Sequence, residues 1–187
     1  MFDTRNFRLR APRSRGRATI SGALFAVFAL VVGFSMSPAI AADPKATAML
    51  GVFLQNDNEG YEPTSDAERA RMEALETQFK SMLEGSGDYT FVPMTPEIKA
   101  QIDKGQMVGE CGGCEIGYGK SLGASKIAWV RVQKISNLIM NLNVYIADVA
   151  TNRMLFLHSV DIRGNSDESW NRSMSYLLKN YMLSPTG

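Results

Sequence analysis

Two cysteines, Cys111 and Cys114, are the residues whose type and spacing point most directly to chemistry. They are the only cysteines of the chain, and they flank two glycines. In an oxidising compartment an even cysteine count favours a disulfide, whereas a thiol near a helix amino terminus has a lowered pKa and suits redox work. A zinc site would need two further ligands, and His158 is the single histidine. The pair therefore predicts a structural disulfide, and a redox pair, a metal site or free thiols remain the alternatives.

A second group of polar side chains is predicted to share one face of a sheet. Side chains alternate along a strand, so Leu142 and Val144 on the core side send Asn141, Asn143 and Tyr145 to the other side. The predicted binding face consists of Arg131, Gln133, Asn141, Asn143, Tyr145, Asp161 and Arg163. Asparagine is a poor strand former, and amide and guanidinium groups beside a tyrosine suit a carboxylate, a sugar or a peptide edge. We expect Arg131, Asn141, Asn143 and Arg163 to be exposed or to line a groove; a merely solvated sheet face is the alternative.

Catalytic patterns are missing from the sequence. It shows no recognisable Ser/His/Asp or Cys/His arrangement and no glycine-rich phosphate loop after a strand. His158 falls among apolar residues of its predicted strand, which is typical of a partly buried, satisfied histidine. We therefore predict no catalytic residue, no metal and no cofactor.

The elements that position these residues begin with residues 125–164, which pass without a proline and are rich in Val, Ile, Leu, Tyr and Phe. Breaks at Ser136-Asn137 and at 150–152 divide the stretch into three strands joined by tight turns, an antiparallel meander. The second strand places Leu138, Met140, Leu142, Val144 and Ile146 on its apolar face. The third is expected to place Met154, Phe156, His158, Val160 and Ile162 on that same side.

Upstream elements alternate in type. We predict a buried strand over 46–54, a helix over 65–84 with a Ser65–Glu68 capping box, a strand over 89–92 and helices over 95–103 and 115–122. A last helix follows residues 165–168, with Trp170 buried near Ile146 and Val160. The fold class is α/β (α+β): a mixed sheet with a carboxyl-terminal three-stranded antiparallel meander and helices packed on one face.

Residues 1–41 read as a secretory signal peptide: six arginines, an apolar run from Ile20 to Met36 and the small-x-small sequence Ala39-Ile40-Ala41. Residues 42–187 are then a single periplasmic α/β domain with 14 basic and 18 acidic residues, a net charge of −4. An acidic domain without a basic block disfavours nucleic acid. We expect a periplasmic protein or a small polar ligand as partner, and membrane contact only through the leader before cleavage.

Several short motifs resemble a family of exported proteobacterial proteins that carries only a domain-of-unknown-function label. They are Cys111-x-x-Cys114, Leu122-Gly123-Ala124, the run 132–139 (VQKISNLI), Asp148-Val149-Ala150-Thr151 and the run 161–170 (DIRGNSDESW). The resemblance implies the periplasm and no activity. The order of elements is also loosely similar to the amino-terminal domain of TolB and the periplasmic domain of the CsgG curli exporter, which implies an assembly or interaction module. The sequence thus favours a non-enzymatic binding or accessory module acting through the sheet face, with a thiol redox or metal accessory protein as the alternative.

Overall fold

A computed structural model describes Asp43 and residues 45–184, so the predicted leader over 1–41 lies outside the described residues. The elements are β1 (Ala46–Asn56), α1 (Asp66–Ser86), β2 (Thr90–Phe91), α2 (Pro96–Lys104), α3 (Cys114–Ser121), β3 (Lys126–Lys134), β4 (Met140–Asp148), β5 (Met154–Ile162), α4 (Asp167–Leu177) and a π-helical segment, Leu178–Met182. None of the helices within this described part is both long and apolar enough to span a bilayer.

The sheet is mixed, with the strand order β2-β1-β3-β4-β5. Strand β1 runs parallel to β2 and β3, whereas β3, β4 and β5 form the predicted antiparallel meander. The predicted fold class is therefore confirmed. Strands β2 and β5 form the two edges, and β2 is only two residues long.

Local sequence signals explain where the helices start. Ser65 caps α1 and forms the full capping box with Glu68, while Gly87 closes the helix in a left-handed conformation. Thr95 caps α2 immediately before Pro96, a residue whose fixed φ suits the first helical position. Ser166 caps α4 by accepting a hydrogen bond from the backbone N–H of Ser169.

Helices cover both faces of the sheet, which corrects the prediction that they pack on one face. Helices α1 and α4 bury the apolar face of the meander, and Trp170 belongs to the same buried cluster as Ile146, with Val160 packed against it. Helices α2 and α3 cover part of the opposite face through a second cluster that includes Ile98, Ile116 and Trp129. The second layer arises because β1 and the first half of β3 are apolar on both sides.

Two irregularities of register shift the alternation of side chains. In β1 the pairing with β3 shifts between Met49 and Val52, around Gly51 with φ 132°, so that Met49 and Val52 contribute to the same cluster. In β5 Phe156 pairs with Ile146, whereas Met154 pairs with Ala147. Since directly paired residues share a face, Met154 lies on the side opposite Phe156, and the prediction that they share a face is wrong.

Candidate binding site at the edge of the sheet

Residues of the predicted polar face do share one side of the sheet. Arg131 pairs with Asn143 across β3 and β4, Gln133 with Asn141, and Asn141 in turn with Asp161 of β5. Tyr145 pairs with Leu157 one step further along β4 and β5. Since paired residues share a side, period-two counting gave the correct register. The exposure of these residues is not uniform, and it divides the face into a covered half and an open half.

The covered half surrounds Arg131. Its guanidinium donates to the carboxylate of Glu110 at 2.7 Å and to the backbone carbonyl of Val108 at 3.0 Å. Asn143, only 8% exposed, donates to the backbone carbonyl of Arg131 and to the side-chain oxygen of Gln133, both at 3.3 Å. The Arg131 side chain is only 11% exposed, and neither it nor Asn143 lines the groove along β5, so the prediction that these two residues are exposed or line a groove is wrong. The segment before α3 lies over Arg131, and Asn143 lies between Arg131 and Ser159 on the neighbouring strands.

An aromatic stack continues this half. The rings of Trp129 and Tyr145 lie parallel with centroids 4.8 Å apart. Trp129 is almost fully buried, and its indole nitrogen has no hydrogen-bond partner. A Cβ placed on Gly109 would lie 3.1 Å from that nitrogen, and Gly109 has φ 86°. A glycine is thus needed where the covering segment crosses the indole.

The open half is a groove of about 660 Å³ along β5 and α4. From the predicted face it includes Asn141, Asp161 and Arg163, and Asn141 donates to the Asp161 carboxylate at 2.8 Å. The other lining residues come mainly from the outer side of α4 and the π-helical segment: Ser159, Val160, Ser169, Arg172, Ser173, Tyr176 and Tyr181. Arg172 forms an exposed ion pair with Glu168 on the same helix.

Some backbone N–H and C=O groups of β5 point away from β4, towards the free edge of the sheet. The N–H of Val149 donates to the carbonyl of Ser125, so odd-numbered residues of β4 hydrogen-bond to β3 and even-numbered ones to β5. Because Leu142 pairs with Val160, the even-numbered residues in this part of β5 bond to β4. The N–H and C=O groups that point to the free edge belong to Leu157, Ser159 and Asp161.

Helix α4 occupies one end of this edge. The hydroxyl of Ser173 donates to the Asp161 carbonyl at 2.9 Å, and that of Ser169 donates to the Arg163 carbonyl at 2.7 Å. Beyond residue 160, these hydroxyls supply hydrogen bonds that the donors of a neighbouring strand would otherwise supply. The edge at Leu157 and Ser159 has no such hydrogen bond from α4, and Ser159 lines the groove.

Aromatic side chains close the groove on the helix side. His158 stacks on Tyr181 with ring centroids 3.6 Å apart, and Tyr176 meets Tyr181 edge to face at 5.9 Å. The hydrogen bond with Tyr176 raises the pKa of Tyr181. His158 is half-buried on the apolar side of β5, as its position in the sequence predicted.

The cysteines lie on the covered side. Cys111 and Cys114 form a disulfide, and Cys114 is the first residue of α3. A carboxylate oxygen of Glu115 lies 3.0 Å from the sulfur of Cys111. The two sulfurs and a carboxylate oxygen of Glu115 lie within 4.8 Å of one another, but sulfurs bonded to each other supply no thiolate, so this cluster offers a metal ion its three ligands only after reduction.

A buried polar network at one end of the sheet was missed by the sequence analysis. Lys134, 1% exposed, donates to the carboxylate of Glu68 at 2.7 Å and to that of Glu62 at 3.1 Å. Asn165 donates to Glu68 at 2.8 Å and accepts from the indole of Trp170 at 3.1 Å. The sequence did contain an indication of this burial. Lys134 lies two and four residues after Val132 and Val130 on the same strand, so alternation places it on the core side with them.

The network joins four parts of the chain. Ser65 and Glu68 mark the start of α1, Lys134 the end of β3, and Asn165 the loop before α4. Asn165 also donates to the side-chain oxygen of Asn137 in the β3–β4 turn at 2.7 Å. Burial acts to raise the pKa of Glu68, but hydrogen bonds from Lys134, Ser65 and Asn165 outweigh it and hold the pKa at about 2.

Several solved structures are similar to the chain at low sequence identity. The LpoB C-terminal domain from Salmonella enterica is 15% identical with a TM-score of 0.44, covering 68% of this chain and 87% of that one. PelC from Paraburkholderia phytofirmans, solved as a dodecamer, is 13% identical with a TM-score of 0.45, covering 75% and 89%. TolB from Acinetobacter baumannii is 13% identical with a TM-score of 0.36, covering 74% of this chain and 29% of TolB.

No curated protein matches the chain significantly. A family model does match, over residues 45–182, which takes in every strand and helix described above. The resemblance carried by the cysteine pair and the two longer runs is therefore confirmed. The chain belongs to the family DUF3280, described as "Protein of unknown function (DUF2380)".

Proposed function

We propose that the chain is an exported interaction module that binds an extended segment of a periplasmic protein along the free edge of β5. The observation that carries the proposal is the free edge at Leu157 and Ser159, whose backbone groups point away from β4 and which meets a groove of about 660 Å³ at Ser159. Addition of a strand to an exposed edge supplies main-chain hydrogen bonds in any sequence context. Specificity then comes from the side chains beside the edge.

Side chains beside this edge offer both apolar and polar contacts. Leu155 and Leu157 are more than half exposed, and an edge strand with exposed leucines is a template for another chain. On the groove side Asn141, Asp161 and Arg163 present amide, carboxylate and guanidinium groups. This mixture suits a peptide with an apolar residue and an acidic or amide residue at alternate positions.

The leader and the disulfide support the periplasm as the compartment of this module. The leader over 1–41 has the three parts of a signal peptide, and the disulfide between Cys111 and Cys114 fits an oxidising environment. The acidic balance of residues 42–187 disfavours nucleic acid as the partner.

The proposal is tested by a proline at an outward position of β5. Ser159→Pro removes an N–H that faces the free edge and leaves the bonds to β4 in place, so the fold is expected to tolerate it. A photocrosslinking residue in place of Leu157 should yield a protein adduct in the native cells, and Ser159→Pro should remove that adduct. Ser159→Ala is the matched control, since it removes the hydroxyl but keeps the N–H.

The result depends on comparing the two variants at equal stability. Melting temperatures within about 2 °C of each other would show that both variants keep the fold. An adduct that survives Ser159→Pro, or one that disappears equally with Ser159→Ala, would count against strand addition. Arg163→Ala should weaken the adduct without removing it, because it removes one side-chain contact and no backbone bond.

The alternative is a thiol redox function, favoured by one observation. Cys114 is the first residue of α3, and Cys111 is half-exposed, so the disulfide is accessible beside a helix amino terminus. The Glu115 carboxylate, 3.0 Å from the Cys111 sulfur, opposes this function because a negative charge disfavours a thiolate. A reduction potential below about −300 mV would assign the bridge to structure, and a value near −200 mV would assign it to redox work.

A further inference from the structure

Four large apolar side chains protrude from two neighbouring loops near the end of β3. Tyr61 is 96% exposed, Leu138 82%, Ile139 56% and Ile135 52%. Tyr61 lies in the loop between β1 and α1, and the other three lie in the β3–β4 turn. We name these four residues the apolar tip. None of them lines the groove along β5, so the apolar tip is separate from the surface of the proposed function.

Hydrogen bonds join the two loops into one unit. Asn58 donates to the backbone carbonyl of Ile135 at 2.6 Å, and the N–H of Asp57 donates to the carbonyl of Lys134 at 3.0 Å. Asn137 donates to the carboxylate of Glu62 at 2.7 Å. The apolar tip is therefore presented by a turn and a loop held in a fixed arrangement, which lowers the entropy lost on binding.

The buried network fixes the base of this unit. Lys134 contacts Glu62 of the loop and Glu68 of α1, and Asn165 contacts Asn137 of the turn. Taking such charges out of water is costly, and their interaction repays the cost only with good geometry. The network thus connects the loop of Tyr61 and the β3–β4 turn to α1 and to the loop before α4.

Scattered exposed leucines are ordinary on soluble proteins, but here four large exposed apolar residues are concentrated on two loops that hydrogen bonds join. Leu138 is the most exposed of the three apolar residues of the turn, and Tyr61 is almost fully accessible. Apolar and aromatic side chains that insert into a partner's pocket carry much of the binding energy of protein interfaces. The apolar tip has the form of such an anchor.

Three acidic residues accompany Tyr61 in its loop and bear on the kind of partner that the tip can bind. Asp57, Glu59 and Glu62 all lie in the loop that carries Tyr61. Hydrogen bonds from Thr64 lower the pKa of Glu59, and the hydrogen bond from Asn137 lowers that of Glu62, so both are ionised at neutral pH. An anionic membrane surface would repel this rim, and a symmetric contact between two tips would bring the rims of two copies together.

We propose that the apolar tip is a docking site for a second, different protein that offers an apolar pocket rimmed by lysine or arginine. Tyr61 and Leu138 enter the pocket, and Asp57, Glu59 and Glu62 face the basic rim. Complementary charges of this kind speed association and exclude acidic competitors.

The test places the photocrosslinker p-benzoylphenylalanine at Tyr61 of the full chain in its native cells. We expect an adduct with a protein of different sequence. Leu138→Ser should lower its yield about tenfold by removing the second anchor, and Asp57→Lys about tenfold by placing a cation opposite the basic rim. Glu73→Lys is the matched control, since it makes the same charge change on an exposed position of α1 and should leave the yield unchanged.

Stability and lipid binding are measured on the same variants. Thermal melting checks that Leu138→Ser and Asp57→Lys remain folded, as exposed positions allow. Flotation with phosphatidylcholine vesicles, with and without phosphatidylglycerol, measures lipid binding, which should be absent. The proposal is overturned by no protein adduct, by an adduct of two copies of the chain, by a yield that Asp57→Lys and Glu73→Lys change equally, or by flotation that depends on Leu138.

Discussion

The two faces of the sheet are covered by layers of different construction. One face is buried under the 21-residue helix α1 and helix α4, and its cluster contains Phe79, Leu142 and Trp170, all with no exposed surface. The other is covered by two short helices of nine and eight residues, whose core isoleucines keep 7–8% of their surface exposed. A disulfide and the Arg131–Glu110 ion pair add connections to this second layer.

This difference indicates which helical layer contributes more to stability and which one opens more easily. Long amphipathic helices bury enough apolar surface to hold a layer by packing, whereas short helices are marginal and depend on tertiary contacts. The layer of α2 and α3 is therefore expected to open at a lower free energy than the layer of α1 and α4.

The largest effect should come from Trp170 on the α1–α4 face. Trp170→Ala leaves a cavity and leaves the Asn165 side-chain oxygen without the indole donor, so we expect a loss of about 3–5 kcal/mol in the free energy of unfolding. Urea denaturation measures it. Tyr176→Ala, at a half-exposed position of the same helix, should change the value by less than about 1 kcal/mol. Equal losses for both variants would contradict the packing described here.

Much of this face could be predicted from sequence because periodicity reports it directly. The capping box at Ser65, the meander and the burial of Trp170 all follow from local spacing. The buried ion pair of Glu68 with Lys134 was not predicted, because its role in the capping box already accounted for a glutamate at this position. Glu68 lies four positions before Met72 and seven before Leu75, in phase with the buried stripe of α1.

The other face could be predicted only in part, because its cover comes from residues distant in sequence. Period-two counting placed Asn143 and Arg131 on the correct side but carries no information on the segment from Val108 to Glu110, which covers Arg131. The shift of register at Leu155 was also invisible, since no glycine or proline marks it. Of the predicted binding face, the part near Asn141 remained open.

Acid should weaken the α1–α4 side through Glu68. Its pKa is lowered from 4.5 to about 2 in the folded protein, so its contribution is fully present above about pH 4.5 and is lost as the pH falls towards 2. A shift of this size corresponds to about 3 kcal/mol. Glu68→Gln should reduce the pH dependence of unfolding in that window, measured by urea denaturation at pH 2.5–5.5. Glu76→Gln, which alters a partly exposed pair with Lys80, should keep the wild-type profile.

A methyl group in α3 should have an intermediate effect on the opposite layer. A Cβ on Gly119 would lie 2.5 Å from Ile127 and 2.7 Å from Val149, so Gly119→Ala should push α3 away from β3 at a cost of about 1–3 kcal/mol. Gly117→Ala in the same helix meets no atom within 4 Å and should stabilise by about 0.5–1 kcal/mol. Thermal melting separates the two, and a loss of stability in both would show that α3 is limited by its backbone and not by contact with the sheet.

Reduction of the disulfide should have the smallest effect, because its closed loop spans only four residues. The entropic contribution of so short a loop is at most about 2 kcal/mol. Arg131 still holds the same segment through Glu110 and the Val108 carbonyl after reduction. Amide hydrogen exchange of the reduced protein should therefore accelerate over residues 105–119 and stay unchanged in β3 and β4. Reduction of an Arg131→Ala variant removes both restraints, so exchange over 105–119 should accelerate further than either change produces separately. If reduction instead accelerates exchange throughout β3 and β4, the α2–α3 layer supports the sheet as much as α1 and α4 do, and the contrast between the two faces is lost.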